Sequence, residues 1–269
     1  MARSNRLSPR AAPCRALACL LAALFCTHLS AVEYFPLDQV RLLDSPFQQA
    51  QERNLEYVMA LDPDRLLAPY LREAGLAPAV ESYGNWENTG LDGHIGGHYL
   101  TALSLAVAST GRQDVRDRLG YMLDELERAQ LANGDGYLGG IPGGHLLWTQ
   151  IADGDIRADL FALNGYWVPW YNLHKTFAGL RDAWLYTGSD QARTMLVGLA
   201  NWATRLLGTL DDKQIQAMLT TEHGGINEVL ADVASITGDR RYLELAEKLS
   251  HRSILEPLLR KEDRLTGLH

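Results

Sequence analysis

The chain has 269 residues, of which 46% are hydrophobic and 22% are charged, and its net charge is −8. This composition is ordinary for a folded globular protein, and the negative charge disfavours nucleic acid as a partner. The body of the chain contains no apolar run of about 18 residues and no glycine-rich phosphate loop. We therefore expect neither nucleic-acid binding nor a membrane span there.

The N-terminus has the pattern of a secretory signal. Four arginines precede a short apolar core over residues 16–25, and Ser30 and Ala31 offer a cleavage site. A membrane anchor is the alternative, but the core is short for a span. We expect residues 1–31 to be removed and residues 32–269 to be one domain, secreted or periplasmic, with no membrane attachment after cleavage. Cys14, Cys19 and Cys26 lie within the signal, so the mature chain has no thiol.

The first predicted elements are an extended lead-in and two helices. The lead-in covers residues 35–47 and carries two prolines. A helical pattern then runs from Gln48 to Leu61, and Asp62-Pro63-Asp64 ends it and starts a second helix through Leu71.

Three copies of one pattern follow, in which a histidine opens an amphipathic helix that ends at Thr-Gly and a second helix comes next. The copies are His98…Thr110-Gly111, His174…Thr187-Gly188 and His223…Thr237-Gly238. The histidine precedes its threonine by 12, 13 and 14 residues. Such a repeat predicts stacked helix pairs with the histidines at one common end, and the glycines as left-handed helix caps.

The expected fold is all-α, an incomplete (α/α)6 toroid of helical hairpins. The first helix of each pair would line the inside, and a closed ring needs about twelve helices, against about eight that the pattern predicts. A long segment at residues 133–170 separates the first two repeats, with short hairpin strands as an option. The chain ends on LTGLH without a terminal cap, as we expect of a shortened catalytic domain.

Two segments just before the inner helices carry candidate sugar-binding side chains. WENTGLDGHIGGH, residues 86–98, offers Trp86 as a stacking platform and His94 and His98 as polar partners, or else it is a glycine-rich turn whose histidines cap the helix. YWVPWYNLHK, residues 166–175, offers Trp170 and His174, and it would also serve as a core plug.

Metal binding and paired-carboxylate chemistry find little support in these motifs. The spacing of His94 and His98 suits a shared metal, but Gly96 and Gly97 between them argue against a regular helix, and we expect no metal site. EHGGINE, residues 222–228, places two glutamates six positions apart, which does not establish a paired-carboxylate mechanism. Glu228 is equally well interpreted as a buried structural acid.

Together these residues resemble the β-L-arabinofuranosidases of glycoside hydrolase family 127 and especially its relative, family 146. The matching segments are WENTGLDGHIGGHYLTAL, GYWVPWYNLHKTFAGLRDAW, EHGGINEVLADVASITGD and LTGLH, and the resemblance covers residues 36–269. It implies an (α/α)6 catalytic barrel of the six-hairpin glycosidase type, followed by β-sandwich domains. It also implies retaining hydrolysis of terminal β-L-arabinofuranosides, with arabinose-containing plant glycans as the carbohydrate partner.

The resemblance further implies a zinc-held cysteine nucleophile, a glutamate acid/base and histidines that hold the sugar. By motif, His174 and His223 match two of these histidines and His269 a third. The cysteines and the glutamate would lie beyond residue 269. We therefore expect no catalytic residue, no metal ligand and no cofactor on this chain, and no hydrolysis by it alone. The expected substrate-binding residues are Trp86, His94, His98, Trp170, His174, His223 and His269.

Two other functions remain open at this point. The chain could be a non-catalytic carbohydrate-binding or vestigial product of a shortened gene. It could also be a different α/α-toroid enzyme, such as a sugar epimerase or a polysaccharide lyase with histidine acid/base chemistry, although the motifs disfavour this alternative.

Overall fold

The structure, a computed structural model, describes residues 34–222 and 225–264. Residues up to Pro36 form a separate unit, of which residues 34–36 are described and have no regular secondary structure. The predicted signal over residues 1–31, its three cysteines and the terminal LTGLH lie outside the described residues. The fold below is that of the unit that begins at Leu37.

The described part of this unit is mostly helical, as the sequence predicts. The helices are α1 (Pro46–Ala60), α2 (Pro63–Glu73), α3 (His94–Thr110), α4 (Gln113–Asn133), α5 (Gly144–Ala152), α6 (Pro169–Thr187), α7 (Asp190–Leu207), α8 (Asp212–Met218), α9 (Ile226–Thr237), α10 (Arg240–Lys248) and α11 (Arg252–Leu259). Two short strands, β1 (Ala162–Leu163) and β2 (Tyr166–Trp167), pair antiparallel as a hairpin. The lead-in before α1 is irregular except for one 3-10 turn at Leu37–Gln39.

Helices α3 and α6 form the closest packing in the fold. A Cβ on Gly97 would lie 2.3 Å from the carbonyl carbon of Lys175, and one on Gly179 would lie 2.5 Å from the carbonyl oxygen of Gly97. The two backbones therefore touch, and a side chain at either glycine would separate them. One turn further along α3, the Thr101 hydroxyl donates to Asp182 at 2.7 Å, so the two helices run in the same direction.

Helix α9 packs against the other side of α6, also in the same direction. At the start of α9, a Cβ on Gly225 would lie 3.4 Å from Cε1 of His174. Two turns further along both helices, Arg181 Nη1 lies 2.6 Å from Asp232 Oδ2. The helices α3, α6 and α9 thus form a parallel inner layer that begins at one common end.

The three Thr-Gly pairs end these inner helices in the same way. Gly111, Gly188 and Gly238 have left-handed φ values of +69°, +70° and +72°. Each glycine N–H donates to the carbonyl four residues earlier at 2.8 Å. Each preceding threonine hydroxyl donates to the carbonyl four residues before it. The glycine caps that the sequence predicts are confirmed, and the threonines add a second bond at each helix end.

The second helix of each pair, α4, α7 and α10, packs on the inner layer as an outer layer. One continuous core lies between the layers, rich in leucine and alanine. Its largest side chains form an aromatic cluster in which the ring of Trp148 lies 4.8 Å from that of Trp170 and 5.4 Å from that of Trp202. This cluster connects α5, α6 and α7.

The predicted count of about eight helices is too low, because the described part also contains α5, α8 and α11, which are seven to nine residues long. Helices this short offer too few turns for a periodic pattern to stand out. The segment predicted as a long loop, residues 133–170, holds α5 and the β1–β2 hairpin. Among the described residues, we find no helix that combines the length and the apolarity of a membrane span.

Candidate functional site

The helices α3, α6 and α9 each begin after a residue with positive φ. These residues are Gly93 at +95°, Val168 at +33° and Gly225 at +80°. Glycine adopts such angles easily, whereas a β-branched valine is strained there, at a cost of about 1–3 kcal/mol. The Val168 N–H donates to the Phe161 carbonyl at 3.0 Å, and its side chain is buried. The surrounding packing thus holds the start of α6 in a strained conformation at the end where the candidate residues lie.

Glu87 organises the start of α3 from a fully buried position. Its carboxylate accepts from the backbone N–H groups of Gly93 at 2.9 Å and Ile95 at 3.0 Å. The same carboxylate lies 2.9 Å from Nδ1 of His94, which also lies 2.7 Å from the Leu91 carbonyl oxygen. Both neighbours of Nδ1 are acceptors, so Nδ1 carries the proton and donates to them. The single carboxylate of Glu87 therefore both caps α3 and fixes the orientation of the His94 ring.

Aromatic rings from α3 and α6 lie close to one another next to this buried carboxylate. The His94 ring centroid lies 6.2 Å from that of His98 and 6.1 Å from that of Tyr171. The ammonium of Lys175 lies 4.5 Å from the Tyr171 ring centroid and 3.5 Å from Nδ1 of His174. We refer to these five side chains, His94, His98, Tyr171, His174 and Lys175, as the rim cluster.

Charge and burial set the protonation of the rim cluster. Partial burial and the Lys175 ammonium lower the pKa of His98 below its ordinary value of 6.5. Partial burial also lowers the pKa of Lys175, against the opposite pull of Glu222 and Glu228. At neutral pH, His98 is therefore an uncharged imidazole that both donates and accepts hydrogen bonds. Such groups suit a neutral ligand that carries many hydroxyls.

Two tryptophans lie beside the rim cluster. Trp86, on the 3-10 turn Asn85–Asn88, is 58% exposed, and its ring stacks on that of Trp167 with centroids 5.6 Å apart and 26° between the planes. The Trp86 ring also lies 6.4 Å from the His94 ring. Exposed flat rings next to hydrogen-bonding side chains are typical of sites for ligands with both C–H faces and polar groups.

The remaining predicted sugar-binding residues differ in how far they are exposed to solvent. Trp170 is 1% exposed in the aromatic core, where its Nε1 donates to Met218 Sδ at 3.2 Å, so its ring is closed off from a ligand at the surface. This placement agrees with the core-plug interpretation of its motif. His94 is buried, while His98 is exposed and His174 is partly exposed. His223 and His269 lie outside the described residues.

Two details of the sequence interpretation need correction. Helix α3 is regular through Gly96 and Gly97, so these glycines do not interrupt it. They are present for close packing, because a Cβ on Gly96 would lie 2.8 Å from the Tyr70 ring. Glu228, interpreted as a possible buried acid, is exposed at the start of α9.

Four residues of the site escaped the sequence interpretation, namely Glu87, Trp167, Tyr171 and Lys175. Each lies inside a motif that the sequence singles out, and the buried acid Glu87 directly follows Trp86. Their roles depend on contacts between α3 and α6, which the spacing of residues along one helix does not reveal.

A zinc site does not fit the described residues. Within residues 34–222 and 225–264, no three His, Cys, Asp or Glu side chains come together as a metal group would require. Although the rings of His94 and His98 are neighbours, Nδ1 of His94 is engaged by Glu87 and Leu91. No chemical step on these residues is therefore derived through zinc.

The fold resembles that of a glycoside hydrolase of known structure. The crystal structure of a GH127 β-L-arabinofuranosidase from Geobacillus stearothermophilus T6 superposes with a TM-score of 0.51 at 16% sequence identity. The match covers 82% of this chain and 32% of that chain. The chain thus spans about a third of the length of that protein, and the likeness concerns the fold.

The sequence comparison identifies the family. Residues 39–269 match the catalytic domain of the β-L-arabinofuranosidases of glycoside hydrolase family 127. The chain belongs to this family, as the four motifs predict, while the closer resemblance to family 146 stays a prediction. No curated protein matches the chain.

Proposed function

We propose that residues 32–269 are part of a glycoside hydrolase catalytic domain that binds a terminal β-L-arabinofuranosyl unit of plant glycans at the rim cluster. The observation that carries this proposal is the chain of contacts that runs from His98 and His94 on α3, through Tyr171 and Lys175, to His174 on α6. The imidazole nitrogens there would exchange hydrogen bonds with sugar hydroxyls. By motif alone, we propose His223 and His269 as further sugar-binding residues.

We also propose that the helix pairs belong to an (α/α)6 toroid. Three consecutive pairs repeat one arrangement, with parallel inner helices and equivalent Thr-Gly ends. A ring built from such units has all its inner helix starts on one rim. The predicted sugar contacts would then lie around the mouth of that ring.

The chain by itself is expected to bind sugar without hydrolysing it. The family resemblance implies a cysteine nucleophile held by zinc, and the sequence contains no cysteine after Cys26. The described residues also lack a group that could hold the metal. The absence of a cysteine after position 26 supports this expectation for the 269 residues by themselves, and a non-catalytic carbohydrate-binding product is the second candidate function. Turnover of an aryl β-L-arabinofuranoside by the purified 269-residue chain would contradict this expectation.

Export is the remaining proposal. The arginine-rich start, the short apolar core and the small residues before position 32 support removal of residues 1–31 and a secreted or periplasmic location. N-terminal sequencing of the protein from the periplasm or medium tests it. We expect a start at Val32, and a full-length chain retained in the cytoplasm would contradict export.

The binding proposal is tested with a pair of histidine variants. His174→Ala should weaken the binding of methyl β-L-arabinofuranoside about tenfold, measured by calorimetry, because a ligand hydrogen bond is lost. His145→Ala serves as the matched control, because His145 is exposed outside the rim cluster and bonds Asn133 at 3.1 Å. Equal affinities of the two variants would refute the role of His174. A parallel loss of binding and folding in His174→Ala would favour a core role.

A further inference from the structure

The exposed tryptophan pair beside the rim cluster has the geometry of a second sugar site. Trp86 and Trp167 come from different parts of the chain, the turn before α3 and the β1–β2 hairpin before α6. Their rings stack at 5.6 Å, and both remain exposed, at 58% and 36%. The other four tryptophans are buried or partly buried. Two large apolar rings exposed side by side are unfavourable in water, and such a patch is typical of a ligand-binding site.

The fold holds this pair in place. Glu87 follows Trp86 on the same turn, and its buried carboxylate anchors the turn through the N–H groups of Gly93 and Ile95. Trp167 is fixed by its strand pairing with Ala162 and by the strained Val168 that follows it. Both indoles are therefore displayed by rigid segments, which lowers the entropic cost of binding a ligand on them.

The surroundings of the pair favour a carbohydrate as the occupant. Asn85, Asn88 and Thr89 are exposed within three positions of Trp86 along the chain, and they carry neutral amide and hydroxyl groups. A flat apolar face edged by neutral hydrogen-bonding groups matches a sugar ring, which has a C–H face and equatorial hydroxyls. The pair also continues into the rim cluster, because the Trp86 ring lies 6.4 Å from the His94 ring.

We infer that Trp86 and Trp167 form a second subsite, which binds the next sugar of an arabinofuranosyl chain whose terminal unit lies at the rim cluster. The inference rests on the proposed function, since it takes the rim cluster as the first subsite. The preferred ligand is accordingly an oligosaccharide of two or more units, and a single sugar unit would use only part of the site.

The test compares two ligands on the full chain by calorimetry, namely methyl β-L-arabinofuranoside and a trisaccharide of β-linked L-arabinofuranose. Wild-type protein should bind the trisaccharide about 3- to 10-fold more tightly than the methyl glycoside, as expected for one added aromatic contact. Trp167→Ala should lose this gain. Phe47→Ala should keep it. Phe47 is 75% exposed on α1. On the same helix, Glu52 pairs with Arg112, which follows the end of α3 that lies opposite the rim cluster.

A second measurement keeps the inference testable if Trp167→Ala does not fold. In the wild-type chain, Trp86 and Trp167 are the tryptophans most open to acrylamide quenching. The trisaccharide should protect this emission from acrylamide, and the methyl glycoside should protect it much less.

The outcomes separate the two proposals. Equal affinity for the two ligands, or no protection by the trisaccharide, would overturn the second subsite and leave the proposed function standing. A trisaccharide gain that survives in folded Trp167→Ala would also overturn it. Failure of the chain to bind either ligand would overturn the proposed function and the second subsite with it.

Discussion

The contact between the backbones of α3 and α6 makes Gly97 the most sensitive position that the fold identifies. A Cβ added there would lie 2.3 Å from the carbonyl carbon and 2.4 Å from the carbonyl oxygen of Lys175. Carbon atoms prefer separations of about 3.5–4.0 Å, so Gly97→Ala must push the helices apart by more than about 1 Å. Because both opposing atoms belong to the backbone, no rotamer change relieves the clash.

The cost of Gly97→Ala follows from this separation. Overpacking at Gly97 lowers the free energy of unfolding by about 1–3 kcal/mol. Moving the helices apart also opens a gap of about 1 Å elsewhere between α3 and α6, which removes up to about half of the dispersion energy of the contacts there. The better helix propensity of alanine returns about 1 kcal/mol. We expect a net loss of about 2–3 kcal/mol, which lowers the melting temperature by about 5–10 °C in a chain of this size.

Thermal unfolding followed by circular dichroism measures this loss, with Gly120→Ala as the matched control. Gly120 lies inside α4, and a Cβ there would have no heavy atom within 4 Å. The control should therefore gain about 0.5–1 kcal/mol from helix propensity alone. If Gly97→Ala melts at or above the wild-type temperature while Gly120→Ala behaves as expected, the close contact of α3 and α6 is refuted.

Two further predictions concern the tryptophans and the pH dependence. Trp170→Ala should lower the free energy of unfolding by about 3–5 kcal/mol, because its ring fills the core, whereas the exposed Trp86→Ala should cost under about 1 kcal/mol. Equal losses in urea denaturation would show that Trp170 is not a core residue. Burial and Lys175 lower the pKa of folded His98 below 6.5, so the unfolded chain binds more protons and stability falls as pH drops through that range. His98→Gln should make this fall shallower between about pH 7 and 5, and an unchanged pH slope would contradict the cause given for the lowered pKa.

The helix pairs and their ends were predictable because they depend on local chemistry. A glycine after the last apolar position ends a helix in the left-handed conformation wherever it stands, as Gly111, Gly188 and Gly238 do. The histidines mark the helix starts less closely than predicted, because α3 begins four residues before His98 and α6 begins five residues before His174. The motifs also carried enough specific residues to predict the family, which the match over residues 39–269 confirms.

The site itself depended on contacts that local patterns do not contain. Trp86 and Trp170 have similar surroundings in the sequence, yet one is 58% exposed and the other 1%. Gly96 and Gly97 would break an isolated helix, but in α3 they allow Tyr70 and Lys175 to approach its backbone. Glu87 would ordinarily face solvent, and it is buried because helix N–H groups and His94 satisfy its oxygens.

The sequence by itself determined where the three inner helices end, which of their faces are apolar and which family the chain belongs to, because these properties follow from residues within a few turns of each other. Only the tertiary structure decided which aromatic rings are exposed and which imidazole contacts a buried acid. Those outcomes depend on the parallel contact of α3 with α6, which joins residues about 80 positions apart. Burial and hydrogen bonding across such distances are properties of the packed chain.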